Sequence, residues 1–363
     1  MSYLPYLLEA LPSVRQPGKI VGPFADLMGK VYNLLFELLH SNTSAGSLGL
    51  AIIIFTLIVK LILFPLMVKQ QKSSFKMQAL QPELMKIRKK YEGKTDQMSQ
   101  QRMAFEMQEF QKKNGVSMVS GCLPMLITMP LFFVFIAAFR QWGNEMLVRL
   151  IVTLEENEEA GIEMFKNFRF LWVNNIWMAD SGTQPVVMTA QNFLAQANNL
   201  PRLLYFKENP AAAELFTQLG FFIKNADGTY AISNIAEMLK AGGATETLAN
   251  EIIARYNDVM APCVNLYAGH NNGWFIFPLL CGGTTWLSTW VMQRNQPQSD
   301  ATASSNKMMQ YLMPAMTFFF CLSTNAAFAL YWTISNLVSM VTTFFINRAF
   351  AKQQKKTVEG EAE

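Results

Sequence analysis

Charge is what this sequence has least of. Only 15% of its 363 residues are Asp, Glu, Lys or Arg, whereas 51% are hydrophobic; a soluble domain carries about 25% charged residues. Histidine occurs twice, as His40 and His270, and cysteine four times, as Cys122, Cys263, Cys281 and Cys321. The cysteines are scattered, with no Cys-x-x-Cys pair and no closely spaced histidines, so neither a disulfide framework nor a zinc site is expected. Three of them lie in apolar runs, where a thiol serves as a small packing group. A Gly-x-x-x-x-Gly-Lys-Ser/Thr loop is missing, which removes the usual phosphate cradle. No Ser/His or paired-Asp arrangement falls in the apolar runs. The expectation is a non-enzyme without cofactor or metal.

Long apolar runs are what the sequence has instead. A helix needs about 20 mostly apolar residues to cross a bilayer core, and five runs qualify: roughly 46–67, 119–139, 274–292, 308–324 and 326–346. The last two nearly touch and require a tight hairpin around Thr324 and Asn325. The pattern predicts an all-α integral membrane protein with five transmembrane helices. Its segments are an N-terminal extracytoplasmic stretch (1–45), span one (46–68), a cytoplasmic helical hairpin (69–116) and span two (117–139). An extracytoplasmic region (140–272) follows, then span three (273–293), an inner loop (294–307), span four (308–324), span five (325–347) and a cytoplasmic tail (348–363).

Lys and Arg in the loops set the orientation. Segment 69–113 carries eleven of them against five acids, a net of +6, whereas 155–163 reads EENEEAGIE. Arg294 and Lys307, and then Arg348, Lys352, Lys355 and Lys356, fall on the same side as 69–113 if there are five spans. The topology is N-out, C-in. The opening MSYLPYLLEALPSVRQPGK lacks the features of a cleaved signal or transit peptide. Phe24, Leu27, Met28, Val31, Leu34, Leu35 and Leu38 then recur at helical spacing, as in an amphipathic helix lying on the outer membrane surface.

One cation stands inside an apolar run. Lys60 sits four residues after Thr56 in the first span, and no Asp, Glu or His occurs in any of the five. A central lysine costs about 2.5–3.5 kcal/mol on insertion scales. It either snorkels toward the headgroups near Lys69 or stays hydrated in a cavity between helices. Small polar residues in other spans favour the cavity: Thr128 in span two, Thr284, Thr285, Ser288 and Thr289 in span three, and Thr333, Ser335 and Asn336 in span five. Each alone can merely bond across helices; together with an unpaired cation they suggest a wall.

In the 70–113 segment, YEGKTD breaks two helices, with Gly93 in the turn and Thr95 or Asp96 as cap. Met77, Leu80, Leu84 and Ile87 line one face of the first helix, and Met98, Met103, Met107 and Phe110 line one face of the second. Its basic faces suit anionic headgroups or ribosomal RNA. The chain has 23 methionines, flexible side chains that suit a surface accepting varied apolar partners. Between 181 and 268, four short helices and a turn at NADGTY form an extracytoplasmic insertion large enough for a small helical domain.

These features together resemble the YidC/Oxa family of membrane-protein insertases. The first span and its exit, IIIFTLIVKLILFPLMVKQQKSSFKMQALQPELMKIRKKY, show its apolar run, buried base, apolar-Pro-Leu and Met/Gln-rich basic helix. KNGVSMVSGCLPMLITMPLFFVFIAAF is similar to its second core span, entered at Gly121, Cys122 and Pro124. FRFLWVNNIWMAD resembles the short outer segment that follows. WFIFPLLCGGTTWL, NKMMQYLMPAMTFFF and LYWTISNLV follow in the family's order, so the likeness covers about 40–180 and 272–348. The family's groove base is usually arginine; Lys60 stands there, keeping the charge but not bidentate bonding. Its glutamines in the second and third spans appear as Thr128, Ser288 and Thr289.

The resemblance implies a multi-pass protein of the bacterial inner (plasma) membrane. It implies a substrate groove of Lys60, Thr56, Thr128, Ser288, Thr289, Trp332 and Asn336, and a recruitment hairpin with Met77, Leu84, Arg88, Met103 and Met107. The implied partners are nascent membrane proteins and membrane lipids, with the ribosome and a Sec translocon as further candidates; DNA is not among them. The competing expectation is a small-solute transporter or channel using Lys60. Against it stand the lack of a second coupling charge and of an internal repeat.

Overall fold

A computed structural model describes residues 47–115, 119–196, 206, 209–226, 228, 230–232, 235–293 and 300–360. The amphipathic helix expected before residue 46 lies outside them. The elements in chain order are α1 (Ser47–Lys90), α2 (Gln97–Lys113), α3 (Val119–Glu156), α4 (Glu158–Lys166), α5 (Ala190–Gln196) and α6 (Pro210–Gln218). The strands β1 (Phe222–Lys224) and β2 (Tyr230–Ile232) follow. Then come α7 (Ile235–Ala241), α8 (Gly243–Leu266), α9 (Ile276–Gln293), α10 (Asp300–Ser323) and α11 (Ala326–Gly360).

The apolar runs are helical, but the helices outrun them. α1 continues from the first run into the basic segment without a break, through Pro65 and Pro82. Each proline removes one i to i−4 bond, and the run of good helix formers on either side, with Arg88, Lys89 and Lys90 in the last turn, carries the helix across. α3 extends beyond the second run until Asn157 turns the chain and caps α4, its side chain accepting from the Ala160 N–H at 3.0 Å. Glu158 and Glu159 in the first turn of α4 and Lys166 in its last complement the helix dipole. Among the described residues two helical stretches, Ser47–Met77 and Ala326–Phe350, are long and apolar enough to cross a membrane.

The described chain forms two compact units. One gathers the residues up to Phe55, Val134–Leu279 and Phe319–Tyr331. Its core contains the fully buried Phe55, Phe139, Leu150, Ile151, Phe165 and Ile176, each contributing about 1.5–3 kcal/mol by leaving water. A second cluster is built from aromatic rings. Phe193 stacks on Tyr256 at 5.1 Å, and Phe216 meets Phe206, Phe221 and Phe222. The Tyr256 hydroxyl donates to the Met188 carbonyl at 2.8 Å. Cys263 is buried beneath, and burial pushes its thiol up to about 12, as expected of a packing cysteine.

The insertion departs from an all-α fold. Phe222–Lys224 pairs antiparallel with Tyr230–Ile232. Gly220, at φ +80, closes α6, and the chain after it is extended. The predicted turn is present, since the Gly228 N–H bonds the Asn225 carbonyl at 3.0 Å, but it joins strands rather than helices. Likewise α8 is one 24-residue helix, longer than the segment read from its polarity.

The other unit comprises Thr56–Phe133, Leu280–Phe318 and the chain from Trp332 onward. A side chain at Gly282 would press on Phe318 and the Pro314 carbonyl at 3.2 and 3.3 Å, so glycine lets α9 and α10 approach closely. Leu61, Phe64, Tyr311, Met316, Val341, Phe344 and Phe345 are exposed. So much apolar surface marks contact with a non-aqueous phase.

Candidate functional site

Lys60 lies in the first third of α1 and is half-buried. Its Nζ donates to Ser339 Oγ on α11 at 2.8 Å, and Ser339 in turn donates to the Ser335 carbonyl at 2.8 Å. An ammonium carries three N–H donors; Ser339 takes one, and among the described residues no carboxylate pairs with Lys60. One turn away on the same helix, Thr56 is fully buried and belongs to the packed interior rather than to an open wall.

Helix α11 presents the rest of the cluster. Asn336 Nδ2 donates to Thr285 Oγ1 at 2.9 Å and to Thr284 Oγ1 at 3.3 Å. Trp332 Nε1 donates to the same Thr285 hydroxyl at 3.2 Å, and its ring meets Phe132 edge-on at 5.1 Å. Thr289 bonds its own helix at the Thr285 carbonyl, 2.8 Å away, and Ser288 is half-buried on α9. The structure thus brings Trp332 and Asn336 together on Thr285. It places Lys60 on Ser339, three residues beyond Asn336. The side chain of Thr128 lies outside the described residues.

Ser339 and the central position of Thr285 escaped the sequence reading. Trp332, Asn336 and Ser339 recur at spacings of four and three, which put them on one face of a helix. That periodicity was the available signal.

The basic segment forms a hairpin. Asp96 caps α2 by accepting from the Ser99 N–H at 2.8 Å, and Gly93 sits at φ +81 in the turn. Glu106 receives Lys90 Nζ at 2.9 Å and Tyr91 Oη at 2.8 Å. These bonds, the one from Lys90 foremost, hold the Glu106 carboxyl below its ordinary value. Leu84 is buried, Met77 takes a long contact from Gln111 Nε2 at 3.9 Å, and Arg88, Met103 and Met107 are half-buried. Of the apolar face selected from the sequence, Leu84, Met77, Met103 and Met107 are therefore at least half-buried, whereas Met98 is exposed, as is Phe105.

A second polar centre lies in the other unit. Asp180 is buried and accepts four bonds: from Trp172 Nε1 at 2.9 Å and from the backbone N–H groups of Trp274, Phe275 and Phe277 at 2.8, 3.1 and 2.7 Å. It satisfies the N-terminus of α9, where orphan donors and the dipole favour an anion. Asn272 bonds the Asn175 N–H, the Asn175 carbonyl and the Ala179 carbonyl at 2.8, 2.9 and 2.9 Å. Asn325 Nδ2 donates to the Phe139 carbonyl at 2.9 Å, and the Ala326 and Ala327 N–H groups bond Met178 and Ile176 at 2.8 Å. The short segment after the second run is thereby tied to the start of α9 and to the turn before α11.

The model of the 60Kd inner membrane protein family matches residues 39–225 and 234–355. The chain belongs to that family. The YidC/Oxa resemblance read from the motifs holds as family membership. The membrane protein insertase YidC 2 of Bacillus anthracis is 47% identical over 95 residues, which are 26% of this chain and 37% of that protein. The membrane protein insertase YidC 1 of Halalkalibacterium halodurans is 44% identical over 119 residues, 32% of this chain and 46% of the relative. The chain thus spans less than half the length of these two relatives. The membrane protein insertase YidC 1 of Streptococcus pyogenes serotype M6 is 27% identical over 308 residues, 84% of this chain and 68% of that protein.

Proposed function

We propose that this protein is a membrane-protein insertase and chaperone working through a polar intramembrane groove, with five spans in the N-out, C-in orientation of a bacterial inner membrane. The groove is centred on Lys60 and walled by Thr285, Ser288, Trp332, Asn336 and Ser339. It receives the hydrophilic tail of a nascent membrane protein, and Lys60 attracts acidic groups in that tail, lowering the cost of bringing them into a low-dielectric region. The client's apolar segment then leaves along spans two and four, drawn by partitioning into lipid. The membrane potential assists acidic tails moving outward, and no nucleotide is required. The 69–116 hairpin faces the cytoplasm, where anionic headgroups, the ribosome and a Sec translocon are its candidate partners.

The observation that carries this reading is the ammonium of Lys60, engaged by one serine hydroxyl and unmatched by any described carboxylate, on a helix whose flanks expose Leu61 and Phe64. The family's named insertases support it. The test is insertion of a short client with an acidic outer tail into membranes carrying each variant. Lys60→Arg inserts at the parent rate, and Lys60→Ala and Lys60→Glu insert at least about ten times more slowly, the loss of one charge-assisted contact. Equal insertion by all three removes the electrostatic role. A solute transporter predicts that depletion abolishes solute flux and leaves client insertion intact.

A further inference from the structure

A cavity of about 480 Å³ lies wholly within the unit that holds Asp180, between the later part of α3, the segment 177–192 and the turn from α10 to α11. It is remote in function from the Lys60 cluster, since none of the groove residues lines it. Arg140 is its one charged wall residue and is exposed at the rim, with no acid among the lining side chains. Two polar wall atoms, Trp177 Nε1 and Thr324 Oγ1, are buried without a hydrogen-bond partner. Leaving a buried donor unmet is unfavourable unless something else meets it. The rest of the wall is mixed: Asn144, Gln184 and Asn192 are polar, whereas Ile136, Phe320 and Phe328 form an apolar flank along the helices.

A guanidinium at the mouth, unmet donors in the wall and an apolar flank select a ligand with an anionic head and a hydrocarbon body. We propose that this cavity binds the phosphate diester of an anionic phospholipid, with Arg140 holding the phosphate, the Thr324 hydroxyl and Trp177 indole completing its shell, and the acyl chains lying along Ile136 and Phe320. Arginine suits a phosphate because its forked donors meet two oxygens at once, and basic pockets among spans recognise headgroups in this way. The proposal rests on the membrane placement of these helices but not on the groove, so the two fail separately.

The test uses the full chain, purified in detergent and stripped of lipid, with bound lipid read by native mass spectrometry. Palmitoyl-oleoyl-phosphatidylglycerol is retained by the parent, whereas diacylglycerol, which lacks the phosphate, is not. Arg140→Gln retains about ten-fold less, the effect of one charge-assisted bond, and Thr324→Val about three-fold less. Valine removes the hydroxyl at nearly constant shape. With no ligand to serve, Thr324→Val would leave retention unchanged and make the protein more stable by deleting an orphan group. Glycerol 3-phosphate that fails to displace the lipid assigns the site to the membrane; displacement assigns it to soluble phosphate esters sharing the same chemistry. Lys60→Ala retains lipid as the parent does. Retention by Arg140→Gln and Thr324→Val equal to the parent overturns the proposal.

Discussion

The two polar centres of this molecule differ in how completely their bonding capacity is used. Asp180 accepts four bonds from four separate donors, about the full capacity of a carboxylate. Asn272 uses both ends of its amide. Lys60 has one described partner for three donors, and that partner is a hydroxyl. A saturated centre fixes backbone and has nothing left for a passing ligand. An unsaturated one, surrounded by alcohols and an amide that re-pair cheaply, is suited to exchange partners. On the function proposed above, Asp180 is a scaffold residue and Lys60 a working one, and the distinction predicts which property each substitution changes.

The largest effect is expected at Asp180. Replacing it by alanine strands three backbone N–H groups and the Trp172 indole in a buried place, at a cost on the order of 4 kcal/mol, read as a loss of resistance to denaturant. Close behind comes Gly273. A side chain there would run into the Asp180 carboxylate, so Gly273→Ala should cost about 1–3 kcal/mol by overpacking; an unchanged stability would show that the Asp180 shell is soft rather than fixed.

Lys60 sharpens the comparison from the other side. Lys60→Ala should leave unfolding within about 1 kcal/mol of the parent, or raise stability, because it deletes an expensive group from an apolar helix, while slowing client insertion. A large loss of stability would make Lys60 a second scaffold residue.

The smallest effect belongs to the hairpin tip. The Glu106 pKa is lowered, chiefly by its bond from Lys90, so the contact contributes above the ordinary carboxylate range and is lost as pH falls through the lowered value. The Lys90 pKa is raised by the same bond, so the contact persists below the ordinary lysine value and is lost as pH rises through the raised one. Both groups are exposed, and water screens them. The protection of residues 91–99 against hydrogen exchange, taken relative to the intrinsic rate at each pH, should therefore fall at the acid and alkaline extremes without a change in global unfolding.

Much of this organisation is legible in local chemistry. The break at Gly93, the Asp96 cap and the helical apolar runs follow from residues within a few positions of one another. The isolation of Lys60 follows from composition alone. Asn336 stood out as a polar group in an apolar run and Trp332 only through the family resemblance, and the structure joins both at the Thr285 hydroxyl. The Asp180 centre was not: it pairs residues 94 to 97 positions apart in sequence, and nothing near Asp180 announces the backbone donors it meets. The lengths of α1 and α3 were hidden for a different reason. Hydropathy reports where apolar residues stop, whereas a helix runs until a turn breaks it, and the breaks at residues 91–93 and at Asn157 lie well beyond the apolar runs. The β-hairpin was missed because two three-residue strands leave almost no periodicity to read.

The most direct test of the working role of Lys60 is photocrosslinking from position 288, one turn of α9 from Thr285, with the Lys60 side chain left intact. A ribosome-stalled client bearing an acidic outer tail should crosslink through that tail, and Lys60→Glu in the same chain should abolish the adduct. Adducts to lipid alone, or tail crosslinks equally strong in the Lys60→Glu protein, would contradict an ammonium held in reserve for an incoming chain.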